Sequence, residues 1–209
     1  MAVAALVIYL LGLVLAFGWR SVVQRRRTGD SGLRLAAGAS GTVAWWAKVA
    51  FIAALLLGFA GPVAGIAGVA PVRILDHGWL QVGGVVLAVG GVLATLAAQV
   101  AMGASWRVGV DPAERTALVT TGAFALVRNP IFSAMGVTSL GLMLMVPNVI
   151  AIAATAVLVL SVQVQVRAVE EPYLVGVHGT AYVAYASRVG RFVPRLGVMR
   201  APHAHGRQS

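Results

Sequence analysis

Apolar residues in this chain run in long blocks that charge scarcely interrupts, separated by short stretches rich in arginine, glycine and proline. Met1 to Trp19 carries no charged side chain and stops at Arg20. A second block runs from about Trp45 to Ile66, with Lys48 near one end and Gly61-Pro62, Gly65, Gly68 and Pro71 at the other. A third covers Gly78 to Ala104, a fourth begins after Pro130 and breaks at Pro147-Asn148, and a fifth continues from Val149 to about Val166. A helix that crosses a bilayer needs about 20 mainly apolar residues. The pattern therefore predicts an all-α, polytopic membrane bundle with about five spans.

The fourth and fifth blocks read as a helical hairpin. Ile131 to Val146 is short for a full crossing at about 1.5 Å of rise per residue. Pro147-Asn148 suits a tight turn, because proline lacks a backbone donor and disfavours helical geometry in the residue before it. One unbroken helix across both blocks would be far too long for a bilayer.

Composition narrows the classes further. Hydrophobic residues make up 59% of the 209, charged residues only 11%, and the mean hydropathy is +0.89. A water-soluble globule could not cover its apolar surface with so few charges, and disorder requires the opposite composition. The absence of cysteine removes disulfides, thiolate metal sites and a cysteine nucleophile. All but one of the sixteen basic residues are arginine, amid abundant alanine, valine and glycine, which suggests a GC-rich bacterial genome.

The net charge of +10 would suggest nucleic acid in a soluble protein. In a membrane protein it marks cytoplasmic segments facing anionic lipid, and no soluble domain remains to bind nucleic acid. A secretory signal would carry its positive residues before the apolar run. Here Arg20, Arg25, Arg26, Arg27 and Arg34 follow it, so the first block reads as an uncleaved span with its N-terminus outside and the C-terminus cytoplasmic. Five spans then put fourteen of the sixteen basic residues in the inner segments 20–44, 105–130 and 167–209, as the positive-inside tendency requires. Four or six spans would put an arginine-rich segment on the wrong side.

Small residues mark helix contacts. In the third block Gly83, Gly90, Ala94, Ala97 and Ala101 share one helical face, and Gly84, Gly91, Thr95 and Ala98 form an adjacent stripe. Such faces let membrane helices approach closely.

Polar residues gather on the inner side. Asp111, Glu114, Glu170 and Glu171 flank the spans there, together with Arg107, Arg115, Arg128 and Arg167. They read either as ion pairs at the headgroup level or as the mouth of a functional site. Their order is informative. After the third block come Leu118-Val119-Thr120-Thr121-Gly122-Ala123-Phe124 and Arg128-Asn129-Pro130-Ile131-Phe132. After the fifth come Arg167, Glu170 and Glu171, then His178-Gly179, Tyr182, Tyr185, Val189, Arg191, Phe192 and Pro194. Over about residues 78–195 this resembles the isoprenylcysteine carboxyl methyltransferase family and related phospholipid methyltransferase-like membrane enzymes. Asn129 stands where that family usually has histidine, Phe124 and Phe132 where tyrosine is common, and His178 where phenylalanine is usual.

The resemblance implies methyl transfer from S-adenosylmethionine to a lipophilic acceptor, isoprenoid- or lipid-like, at the cytoplasmic membrane face. It implies a cofactor site built from Leu118, Val119, Gly122, Phe124, Arg128, Asn129, Pro130, Ile131, Phe132, Glu170 and Glu171. Glu170 or Glu171 would hold the cofactor's ammonium or ribose, and Arg167 and Glu171 are the expected catalytic pair. Pro130 suits the first turn of a helix and Asn129 its cap, leaving free amides for a carboxylate. Arg167 is assigned to the acceptor, since a guanidinium grips a carboxylate with two parallel bonds. A carboxylate is the favoured acceptor because it is ionised at neutral pH and needs no general base, which fits the lack of an obvious one.

Tyr182, Tyr185, Val189, Phe192 and Val193, interleaved with Arg188, Arg191 and Arg195, predict an amphipathic helix lying in the interface, with Thr180 as its cap. His203 and His205 lack an acidic companion, and no metal site is assigned. The expected organisation is two N-terminal spans with a basic loop (1–75), a methyltransferase core (76–195) and a flexible tail (196–209). The competing readings are a non-enzymatic membrane scaffold or carrier, and a membrane reductase of the steroid-reductase-like group.

Overall fold

The computed structural model describes residues 1–30, 39–103 and 117–199. The expectations for Arg34, Arg107, Asp111, Glu114, Arg115, His203, His205 and most of the tail lie outside these residues. Six helices appear among those described: α1 (Ala2–Thr28), α2 (Val43–Ile66), α3 (Gly78–Met102), α4 (Pro130–Met145), α5 (Val149–His178) and α6 (Thr180–Ala186). The first, second, third and fifth are long and apolar enough to cross a membrane, whereas α4 is the shorter arm of the predicted hairpin. The fold is all-helical and polytopic, as the apolar blocks require.

The hairpin turn forms where Pro147 and Asn148 predict it. Asn148 is almost fully buried, and its Oδ1 accepts from the Ala151 amide at 2.9 Å to cap α5. Its Nδ2 donates to the Gly61 carbonyl of α2 at 2.8 Å, so one side chain closes the hairpin and pins it to a neighbour.

Helix α4 packs against α3 through small residues. A methyl group on Gly84 would lie 2.7 Å from the Gly141 carbonyl oxygen, and Gly141 is equally tight against Ala88. The buried stripe is Gly84, Ala88, Gly91, Thr95 and Ala98, while Gly83 and Gly90 face open space. Close helix contact is therefore made by the second of the two small faces. A similar approach joins α2 to α5, where a Cβ on Gly61 would meet Ala151 at 3.1 Å.

Large apolar side chains cover the outside. Val3, Leu11, Leu56, Val86, Leu93, Val149 and Leu160 are all exposed, as a bundle solvated by lipid tails demands. Trp19 and Trp46 are exposed at the arginine-rich end, and Trp79 at the opposite one. These positions match the two interfacial belts in which tryptophan collects.

Two helices are locally rewound. Val14–Trp19 in α1 and Val166–Glu170 in α5 are π turns. A π turn inserts a residue and bonds i to i+5, so each shifts every following side chain around its helix axis.

Candidate active site at the arginine-rich end

Helix α4 begins at Pro130, set back from the arginine-rich end by its shortness. Below its first turn lies a cavity of about 540 Å³, within the range of small-molecule sites. Leu118, Val119, Phe124, Arg128, Asn129, Pro130, Ile131, Phe132 and Glu170, nine of the expected site residues, line it. The wall is amphipathic. Phe51, Ile52, Leu55, Phe124 and Phe132 supply apolar surface, and Lys48, Gln165, Glu170, Tyr173 and His178 supply polar groups.

Both π turns open onto this space. Ala16 and Phe17 enter from the first, and Gln165, which precedes the second, and Glu170, its last residue, enter from there. Gln165 Nε2 donates to Glu170 Oε1 at 3.4 Å. Residues five apart diverge on an ordinary α-helix but share a face across a π turn.

Three expected site residues do not line the cavity. Arg167 is exposed and donates to Gln163 on its own helix at 3.0 Å, because the π turn carries Glu170 inward and leaves Arg167 outside. Gly122 is exposed, and its φ of +60° serves the turn that opens the 3₁₀ segment Gly122–Ala125.

Glu171 is 4% exposed and is locked in an ion cluster. Arg191 grips it with two 2.8 Å bonds, Nε to Oε1 and Nη2 to Oε2, and Arg128 Nη2 donates to Oε1 at 2.5 Å. Arg128 also donates to the carbonyls of Ala186, Val189 and Gly197. Both oxygens of Glu171 thus accept from protein guanidinium groups, and the carboxylate ties the C-terminal loop to the bundle. The bond from Glu171 raises the Arg191 pKa above its ordinary value.

The predicted interfacial helix is shorter and faces inward. Helix α6 ends at Ala186, with Gly179 at the cap position instead of Thr180. Tyr182, Tyr185 and Ala186 form a core with Leu118, Leu174, Val189 and Met199. The Tyr185 hydroxyl donates to the Phe124 carbonyl at 2.6 Å, and burial pushes both tyrosines up to about 12. Residues 187–199 fold back as a clasp. The Arg128 and Asn129 amides donate to the carbonyls of Gly190 and Arg191, and only glycine fits at Gly190, where a Cβ would lie 2.8 Å from the Arg195 amide. The tyrosine stripe is protein-facing because the Arg128–Glu171–Arg191 cluster draws this segment onto the bundle.

Asn129 occupies the cap position of α4 without capping it. Its Nδ2 donates to the Arg191 carbonyl at 3.1 Å, and Pro130 takes the first helical turn as expected. The amides of that turn, at Ile131 and Phe132, therefore have no side-chain cap at a helix end that favours anions.

Several lining residues were absent from the sequence-based set. Lys48 and Phe51 come from α2, Phe17 from α1 and Gln99 from α3. Only the tertiary fold brings these helices to the cavity, although the lone lysine in a span was a visible signal.

A bundle of membrane-length helices with an amphipathic cavity at its charged end defines a class, the helical membrane proteins that handle a ligand at the interface. Residues 79–181 match the family model described as phospholipid methyltransferase. This segment, just under half of the chain, is similar to the phospholipid methyltransferase family of membrane enzymes. No curated protein matches the chain.

Proposed function

We propose that the protein transfers a methyl group from S-adenosylmethionine to a lipophilic carboxylate at the cytoplasmic face of a bacterial plasma membrane. The observation that carries this reading is the amphipathic cavity beneath α4, formed largely within the family domain. Its donor set fits the cofactor: a carboxylate for an ammonium, uncapped helix amides for a carboxylate, and Leu118, Val119 and Phe124 as an apolar bed for a purine. When bound, S-adenosylmethionine supplies an electrophilic methyl on a sulfonium; the oxygen–methyl bond forms as the carbon–sulfur bond breaks and its electron pair returns to sulfur.

The protein's share of the work is positional. Glu170, held by Gln165, takes the ammonium group, and the α4 N-terminus takes the carboxylate. Phe124 and Phe132 exclude water beside the reacting atoms, and the clasp fixes the Asn129-Pro130 corner. No side chain needs to accept a proton, because a carboxylate acceptor is already ionised. Holding the reacting groups in line is then the main contribution to rate.

Calorimetry of the detergent-purified full chain with S-adenosylmethionine tests the site. Glu170→Gln should weaken binding at least about tenfold, equivalent to about 1.4 kcal/mol. Wild-type protein that gives no heat at millimolar cofactor would overturn the reading. The rate with a carboxylate acceptor should stay flat through neutral pH, since its pKa lies near 4 to 5 (about that of Asp and Glu). A rate that climbs with pH between about 6 and 8 would mean the acceptor has a proton to lose.

A further inference from the structure

We propose that the acceptor is a single-chain anionic amphiphile, its headgroup held by Lys48 and its tail gauged by a second chamber that α1 and α2 close. This deepens the methyltransferase reading above and rests on it for the reaction, though not for the binding.

The second chamber lies deeper in the bundle and has a volume of about 90 Å³. It shares Ala16, Phe17, Leu55, Thr95 and Met135 with the main cavity, so the two spaces adjoin along a common wall. The first π turn supplies Ala16 and Phe17 at that junction. The chamber's hydroxyl groups are spent within the protein. Thr95 donates to the Gly91 carbonyl, Thr138 to the Ala134 carbonyl, and Ser139 pairs with Thr155 at 2.9 Å. A space whose hydroxyl donors are spent on the protein is suited to hydrocarbon, and its small volume suits the terminal carbons of one chain.

Tyr9 lines the chamber from α1. Its hydroxyl donates to the Leu55 carbonyl at 2.5 Å, and its ring lies against Gly58, where a Cβ would sit 3.0 Å away. A pinned aromatic ring in the wall is a fixed surface against which a tail is gauged.

Lys48 supplies the other end. Lys48, Phe51, Ile52 and Leu55 all line the main cavity, and their spacing puts them on one face of α2. Read upward, that face runs from a cation to phenylalanine, isoleucine and leucine, which is the profile of an anionic headgroup followed by a chain. From Lys48 to Gly58 is about 15 Å along the helix, which suits an alkyl chain of roughly twelve carbons. Helices α1 and α2, which supply both ends, lie outside the matched residues 79–181.

The test uses the full chain in detergent with a dodecanoate carrying a diazirine at its tail. Saturated carboxylates of graded length compete against it, and the crosslink is mapped by mass spectrometry. Crosslinks should fall around Tyr9 and Gly58. Tyr9→Ala should shift the preferred length upward, and Tyr9→Phe, which keeps the ring, should not. Lys48→Gln should erase the preference for a carboxylate over the alcohol of equal length, and Lys48→Arg should retain it. Each readout is a ratio within one sample, so partial misfolding does not move it. Crosslinks confined to the lipid-facing surface, or preferences unchanged in Tyr9→Ala and Lys48→Gln, would overturn the proposal. Calorimetry with S-adenosylmethionine on the same protein separates the two readings. Cofactor binding without a seated chain removes this inference alone, whereas a seated chain without cofactor binding removes the methyl-transfer reading and leaves a carrier of anionic amphiphiles.

Discussion

Two adjacent glutamates in α5, just where its π turn closes, have opposite fates. Glu170 faces the cavity, while Glu171 sits beneath two guanidinium groups. Breaking a buried ion cluster by removing one partner costs about 3–5 kcal/mol, because the remaining charges stay buried and uncompensated. Glu171→Gln should therefore lower the thermal unfolding midpoint markedly in detergent and loosen the clasp formed by residues 187–199. Arg167→Gln, at an exposed position, should change stability by no more than about 0.5 kcal/mol. Equal midpoints for the two variants would show that the cluster does not anchor the C-terminal loop.

Helices in this protein meet through absent side chains. The close approach of α3 and α4 depends on Gly84, Gly91 and Gly141, each of which faces backbone across the contact. Gly141→Ala should cost about 1–3 kcal/mol through overpacking. Gly83→Ala, one residue from the contact and open to its surroundings, should be neutral or stabilising by about 0.5–1 kcal/mol through helix propensity. Thermal unfolding of both variants in the same detergent checks the contrast. The π turns act at the same scale. Each re-aims a helix where it passes the cavity, and together they bring Phe17 and Glu170 to its wall.

At the scale of the whole molecule, charge and shape agree. The arginine-rich ends of the helices, Trp19 and Trp46, and the mouth of the cavity lie on one side, with Arg73, His77 and Trp79 on the other. The proposed orientation puts the arginine-rich side in the cytoplasm. A C-terminal alkaline phosphatase fusion in a bacterial host should then be inactive, and a C-terminal green fluorescent protein fusion bright. The reverse pair of signals would invert the topology and place the cavity on the outer face.

By itself the sequence determined what depends on local pattern: long uncharged runs that must be helices in lipid, the Pro147-Asn148 turn, the start of α4 at Pro130 and most of the cavity-lining segment from Leu118 to Phe132. Each follows from hydrophobic transfer or backbone chemistry, acting over a few neighbouring residues. Tertiary structure alone decided which of Arg167, Glu170 and Glu171 faces the cavity, because a π turn breaks the 3.6-residue period on which a sequence reading depends. It also decided that Tyr182 and Tyr185 are buried, since an amphipathic stripe looks the same facing lipid or protein. Lys48 and Tyr9 came to line the two adjoining cavities only when helices distant in sequence packed together, and that proximity is a property of the bundle that no local pattern encodes.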